Sequence, residues 1–126
     1  VCSNMFGDIA TDLGAVLQGG MGMAASGNIG DTHAFFEPVH GSAPKHAGKN
    51  KVNPIASINS IQMMLDWLGR KNGEDELIQI ASLIDDSVAE HLVNGKSVTY
   101  DLGGTASCTD VGESIANRLS IKLNEL

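Results

Sequence analysis

The sequence predicts an α/β protein, and three observations carry that reading. Four segments repeat apolar residues at spacings of three and four, two or three short apolar runs have strand length, and Gly, Pro and Asn punctuate the joints. The 126 residues, 42% of them hydrophobic, suffice for one core, so a single domain over 1–126 is expected. Two or three strands are too few for a complete doubly wound sheet, so the sheet is expected to be incomplete in this chain. The opening VCSN lacks a Met and reads like the end of a strand, which leads to the expectation of a segment upstream.

The elements follow in order. The first helix is expected over about 8–17, after a turn ending at Gly7 and before Gly19 and Gly20. On its wheel Asp8 and Asp12 lie roughly 40° apart, on one side. They flank a stripe of Ile9, Leu13, Val16 and Leu17, which places them near the edge of a core. A short strand is expected at 22–25 and another at 34–36, closed by Pro38, which cannot donate to a central ladder. Asn53 and Pro54 form a helix start, with Asn as cap and Pro at the first helical position. That helix is expected to be mostly buried and to end before Gly69. Its apolar circumference also predicts oligomerisation or exposed hydrophobic surface in an isolated chain. A further helix over about 74–93 carries Leu77, Ile80, Ala81, Ile84, Val88 and Leu92 and stops at Asn94-Gly95. A short strand is expected at 97–100. The last helix is read as starting at Asp110 with Glu113 three positions on, a pattern like a capping box, and carries Val111, Ile115, Leu119 and Leu123.

Composition narrows the partners. A net charge of -7, with eight Lys and Arg in no dense run, argues against nucleic acid or anionic membrane. No apolar run approaches membrane-spanning length. Cys2 and Cys108 are isolated, with no CxxC, so reduced thiols and a cytoplasmic location are expected. His33 and His91 have no carboxylate or thiol at ligand spacing and are read as surface or boundary residues; Trp67 is read as core packing.

Two motifs bear chemistry. The pair Asp8 and Asp12 has a plain structural reading, a helix-start acid and a solvated neighbour, and a chemical one. A hard divalent cation takes one or two carboxylates and fills its other sites with water and substrate oxygens. The second motif is FEPVHGSAPKHAGKNKVNP, residues 36–54. Its run His40, Gly41, Ser42, Ala43, Pro44 is a loop of small residues that lets a ligand approach backbone N–H groups, with Lys45 and His46 adding positive charge. It suits a phosphate or a ribose, or else is a tight surface turn. No GxGxxG follows a strand.

Together, NMFGDIATDLGAVLQGGMGMAASGNIGD and FEPVHGSAPKHAGKNKVNPIASINSIQMML resemble the C-terminal portion of the isocitrate and isopropylmalate dehydrogenases, the β-decarboxylating hydroxyacid dehydrogenases. The resemblance implies that this chain is the C-terminal part of the large, cofactor-binding domain of such an enzyme. It implies that Asp8 and Asp12 bind Mg²⁺ or Mn²⁺, that Glu37 and the loop His40–Pro44 belong to the cofactor segment with Val52, and that Asn53 lies near the adenine. Binding without a Rossmann unit, as in that family, accounts for the missing fingerprint.

Cofactor choice turns on the residue after HGSAP, where NAD-dependent relatives often place Asp. Here it is Lys45, which favours NADP, and VTYD resembles the segment in which NADP-dependent isocitrate dehydrogenases supply a tyrosine, making Tyr100 and the adjoining Asp101 candidate contacts. His46 stands where an aromatic hydroxyl is common, and LGGTAS resembles the isopropylmalate and NAD-type branch, so NAD is the alternative. Catalytic and substrate-recognition residues of the family lie upstream, some from a partner protomer, and none is assigned here. The resemblance thus implies NADP-dependent oxidative decarboxylation of a small 2-hydroxy acid, isocitrate favoured, by a homodimer, with this chain alone inactive. Isopropylmalate, tartrate or malate with NAD are the alternatives, as is a non-catalytic nucleotide-binding or interaction module.

Overall fold

The computed structural model describes residues 2–125 as α1 (Asn4–Leu17), β1 (Ala25–Ile29), β2 (Ala34–Pro38), α2 (Ile55–Asn72), α3 (Asp75–Asn94) and α4 (Cys108–Leu123). Short 3-10 turns lie at Pro44–His46 and Tyr100–Leu102. The α/β class stands, and among the described residues the sheet has two antiparallel strands. Among those residues no helix is long and apolar enough to cross a membrane.

The strand pair runs from Ala25 opposite Pro38 to Ile29 opposite Ala34. The first strand therefore begins where the expected 22–25 segment ends. Gly27, read as loop punctuation, sits inside β1 for a packing reason: a Cβ there would meet the Phe36 ring at 3.1 Å and Met63 Cε at 3.2 Å. α2 lies across both strands and packs on α3, and α4 packs on α3. Phe36 and Trp67 meet with ring centroids 6.1 Å apart, tying the sheet to α2.

The core gathers at one end of the helices, where Ile55, Val88, Val111 and Ile115 form one cluster with Met23, Ile58, Leu92 and Ala106 packed against it. The buried serines are satisfied within their helices, Ser60 donating to Ala56 O at 2.8 Å and Ser87 to Leu83 O at 2.6 Å. α2 buries Ile55, Ala56, Ser60 and Gly69, fewer positions than its apolar content suggests, and it continues past Gly69 to Asn72. It passes through Gly69 because that residue is the point of closest approach to α3: a Cβ would lie 2.7 Å from Ile78 Cγ1 and 3.0 Å from Glu74 O.

Four expectations change. Gly7 lies within α1, whose N-cap is Ser3, so Asp8 sits in the second turn and no acid occupies the first. The stripe beside it is not at a core: Ile9, Leu13, Val16 and Leu17 are exposed, and Ala15 is the helix's buried residue. Residues 97–100 form no strand: Val98 O accepts from Ala106 N at 3.0 Å, Thr99 is buried, and Thr99 O accepts from Leu102 N at 3.0 Å as the chain turns into Tyr100–Leu102. α4 begins at Cys108, with Ser107 and Asp110 forming the capping box in place of Asp110 and Glu113. Asp110 N donates to Ser107 Oγ at 3.1 Å and Ser107 N to Asp110 Oδ2 at 2.9 Å; the Ser107 backbone contact is the main reason this carboxyl titrates below the usual range.

Candidate cofactor and metal site

β2 and the loop after it stand between two concavities. On one side Asp8, Thr11 and Asp12 of α1 and its C-cap Gln18 face Ala25 and Ser26 of β1 and Glu37 and Val39 across an open cleft of about 620 Å³. On the other, residues 40–43 wall a cavity of about 560 Å³ with His46, Val52, Asn53, Tyr100 and Asp101. Only Pro38 and Val39 separate Glu37, in the first, from His40, in the second.

Asp8 and Asp12 share one helix face, and among the described residues neither is in an ion pair. The second-turn position removes the helix-start explanation for Asp8, because the favourable dipole effect falls off within the first turn. Two unpaired carboxylates stacked one turn apart, with room before them, fit the oxygen-donor chemistry of Mg²⁺ or Mn²⁺ as part of a ligand set. Among the described residues no third His, Cys, Asp or Glu completes a metal cluster with them. Glu37, expected on the cofactor side, is placed in this acidic cleft.

The second cavity is built from small residues and a fixed polar frame. Ala43 adopts a left-handed backbone at φ 44°, uncommon for a residue with a Cβ, and turns the chain into the Pro44–His46 turn. His40 closes locally, its Nδ1 2.9 Å from Gly41 O. Asn53 is 7% exposed and largely committed: it lies one residue before the N-cap Pro54, its Oδ1 accepts from Ile55 N at 3.0 Å, and Nδ2 donates to Asp101 Oδ2 at 3.0 Å and contacts Met23 Sδ at 3.6 Å. Asp101 accepts a second bond from Thr99 Oγ1 at 2.5 Å. Asn53 thus holds the wall in place, which leaves a ligand chiefly the backbone around it. Gly22 permits this frame, since a Cβ there would lie 2.8 Å from Asp101 Oδ2 and 3.2 Å from Asn53 Cβ.

Of the cofactor residues read from the sequence, His40, Gly41, Ser42, Ala43, His46, Val52, Asn53, Tyr100 and Asp101 line this cavity; Pro44 and Lys45 fall outside its lining. Sequence reasoning passed over Gly22, Asn50 and Cys108, which also line it. Asn50 joins the loop to α4, its Oδ1 accepting from Thr109 N at 3.1 Å and its carbonyl from Cys108 N at 2.9 Å. Both cysteines are free thiols.

The isocitrate/isopropylmalate dehydrogenase model matches residues 1–115. The chain belongs to that family. Among its relatives, a homoisocitrate dehydrogenase of Methanocaldococcus jannaschii is 50% identical over 123 residues, covering 98% of this chain and 33% of the relative. A mitochondrial regulatory chain of an NAD isocitrate dehydrogenase from Dictyostelium discoideum is 44% identical over 126 residues, covering 99% and 34%. A crystal structure of a β-decarboxylating dehydrogenase from Thermococcus kodakarensis superposes with a TM-score of 0.80 at 45% identity, covering 96% and 33%. The chain thus spans about a third of the length of these relatives. The isocitrate/isopropylmalate dehydrogenase family is one of decarboxylating dehydrogenases that use a divalent metal and NAD or NADP.

Proposed function

We propose that this chain supplies the adenosine side of an NADP site and two carboxylate ligands for Mg²⁺ or Mn²⁺ to a protein that oxidatively decarboxylates a small 2-hydroxy acid, with isocitrate favoured. The observation that supports it best is the junction at β2, where one continuous strand and loop present Glu37 to the acidic cleft and His40 to Ala43 to the small-residue cavity. A reaction that joins a chelated hydroxy acid to a dinucleotide needs two such sites side by side.

Within this scheme α1 would hold the cation through Asp8 and Asp12, and the loop 40–43 would let the nucleotide approach main-chain N–H groups. Asn53 and Asp101 would keep the cavity wall rigid. A divalent ion, when bound, supplies polarisation of the carbonyl and stabilisation of negative charge during decarboxylation. Proton transfer is assigned to none of these residues. The exposed apolar face of α1 agrees with further chain, or a second copy, completing the assembly.

Titration calorimetry with Mn²⁺, NADP and NAD tests the proposal. Asp8→Asn and Asp12→Asn should each weaken Mn²⁺ by about tenfold or more and leave NADP binding intact. Unchanged Mn²⁺ affinity in both variants would remove the metal assignment, and equal affinity for NADP and NAD would return the cofactor to NAD. A second reading, a regulatory chain that binds nucleotide without chemistry, is favoured by the similarity to the regulatory chain from Dictyostelium discoideum. Nucleotide binding by the complete polypeptide without release of CO₂ from isocitrate would decide for it.

A further inference from the structure

We infer that Asn50 is a positioning residue for nucleotide binding, a single clasp that holds the loop 40–52 against the start of α4 and so keeps one wall of the small-residue cavity in place. This rests on the nucleotide reading proposed above. Residues 40–43, 46–48, 50 and 52 of the loop line the cavity. The loop is anchored at both ends, where Val39 N donates to Ala24 O at 3.1 Å and Asn53 Nδ2 to Asp101 Oδ2 at 3.0 Å. Between those ends its own hydrogen bonds are local, His46 N donating to Ala43 O at 2.9 Å, Ala47 N to Pro44 O at 3.2 Å and Lys49 N to His46 O at 3.1 Å. Among the described residues, every hydrogen bond from 40–52 to another element passes through Asn50.

The clasp has three bonds. Asn50 Oδ1 accepts from Thr109 N at 3.1 Å and from Thr109 Oγ1 at 2.9 Å, and Asn50 O accepts from Cys108 N at 2.9 Å. Cys108 and Thr109 open α4, where backbone N–H groups have no acceptor inside the helix. Asn50 thus caps α4 from a distant part of the chain, while Ser107 caps it locally. Its backbone is left-handed at φ 50°, a conformation that Asn adopts more readily than most residues with a Cβ.

Little else can order this wall. Gly41, Ser42, Ala43, Ala47 and Gly48 carry almost no side chain to pack, and most of the loop is exposed. Lys51 and His46 meet the Tyr100 ring without a hydrogen bond. A loop pinned only at its ends samples many arrangements, and a ligand that needs one of them binds more weakly in proportion to the time the wall spends elsewhere.

The experiment uses adenosine, a neutral probe, in NMR titrations of the chain and of Asn50→Ala, Asn50→Gly and Asn50→Asp, with hydrogen exchange at the Thr109 amide. Methyl signals of Ile55 and Val88 at their parent positions establish that each variant is folded. Asn50→Ala should weaken adenosine by about tenfold and speed exchange at Thr109. Asn50→Gly frees the backbone but lacks the acceptor, and should weaken adenosine by about threefold or more. Asn50→Asp keeps an oxygen for Thr109, places its charge favourably at the start of α4 and lacks the amide donor; it should stay within about twofold of the parent. Thr109 does not line the cavity, yet linkage requires that adenosine slow exchange of its amide in the parent, by about twofold or more at saturation.

Parent-like adenosine binding by Asn50→Ala overturns the inference and leaves the nucleotide reading standing. A loss that Asn50→Asp shares in full also overturns it, because the side-chain amide would then touch the ligand itself. Exchange at Thr109 that ignores bound adenosine in the parent overturns it without recourse to any variant. Failure of the parent chain to bind adenosine removes the nucleotide reading and this role with it.

Discussion

α1 and α3 are both amphipathic helices with apolar residues three and four apart, yet they meet different fates. α3 buries Ala81, Ile84, Ser87, Val88 and His91 between α2 and α4. α1 buries Ala15 and leaves Met5, Phe6, Ile9, Leu13, Val16 and Leu17 between 59% and 90% exposed. An apolar stripe states that a partner is required; it does not state that the partner lies in the same chain. The residues of chemical interest follow the same division, because Asp8 and Asp12 ride on the open helix and the small-residue cavity is walled partly by the closed body.

The largest expected effect lies in the closed body. Ile115→Ala removes a side chain that is 3% exposed from the cluster with Ile55, Val88 and Val111, and should cost about 2–4 kcal/mol in urea unfolding. Gly69→Ala should follow at about 1–3 kcal/mol, because a Cβ would press on Ile78 and on the Glu74 carbonyl where α2 and α3 nearly touch. Ser107→Ala, which removes the N-cap of α4, should cost about 1 kcal/mol by the same measurement.

Acid should loosen the closed body by a smaller amount, through His91. The residue is 2% exposed, its Nδ1 lies 3.0 Å from Ser114 Oγ, and among the described residues its Nε2 has no hydrogen-bond partner. Burial, then the nearby Arg118, hold its pKa below the ordinary imidazole value of 6.5, while the Ser97 backbone opposes them. The unfolded chain therefore takes up the proton first. Stability is full above about pH 6.5, falls as pH drops from there through the lower folded-state value, and levels off below it. Unfolding of the parent and His91→Gln at pH 7.5 and pH 5.5 should show a steeper loss in the parent; parallel losses would contradict the assignment.

Much of this was legible in the sequence, and the misses share a cause. The end of α3 at Asn94-Gly95 and the start of α2, one residue later than Asn53-Pro54 predicts, with Pro54 as the N-cap and Ile55 first, are set by local chain chemistry. Burial was misread where a distant partner decides it. His91 continues the stripe of Ile84 and Val88 at spacings of four and three and is core, although its type suggested the surface. Gly27 and Gly69 look like breakers until Phe36 and Ile78 are seen against them. At the site, the proximity of Tyr100 to Lys51, nearly fifty residues earlier, is a tertiary fact that no local pattern announces.

The smallest expected effect is the one that tests the comparison itself. Leu13 is 71% exposed on α1, so Leu13→Ser should change the unfolding free energy of this chain by no more than about 0.5 kcal/mol, against the several-fold larger cost of Ile115→Ala. The same substitution should act strongly on association, because Ile9, Leu13 and Val16 form one contiguous apolar face that water does not tolerate well. Light scattering should therefore show less self-association in Leu13→Ser than in the parent at equal concentration. A large loss of stability with unchanged scattering would mean that α1 already packs within the chain, and the division between an open helix carrying the acidic pair and a closed body would have to be redrawn.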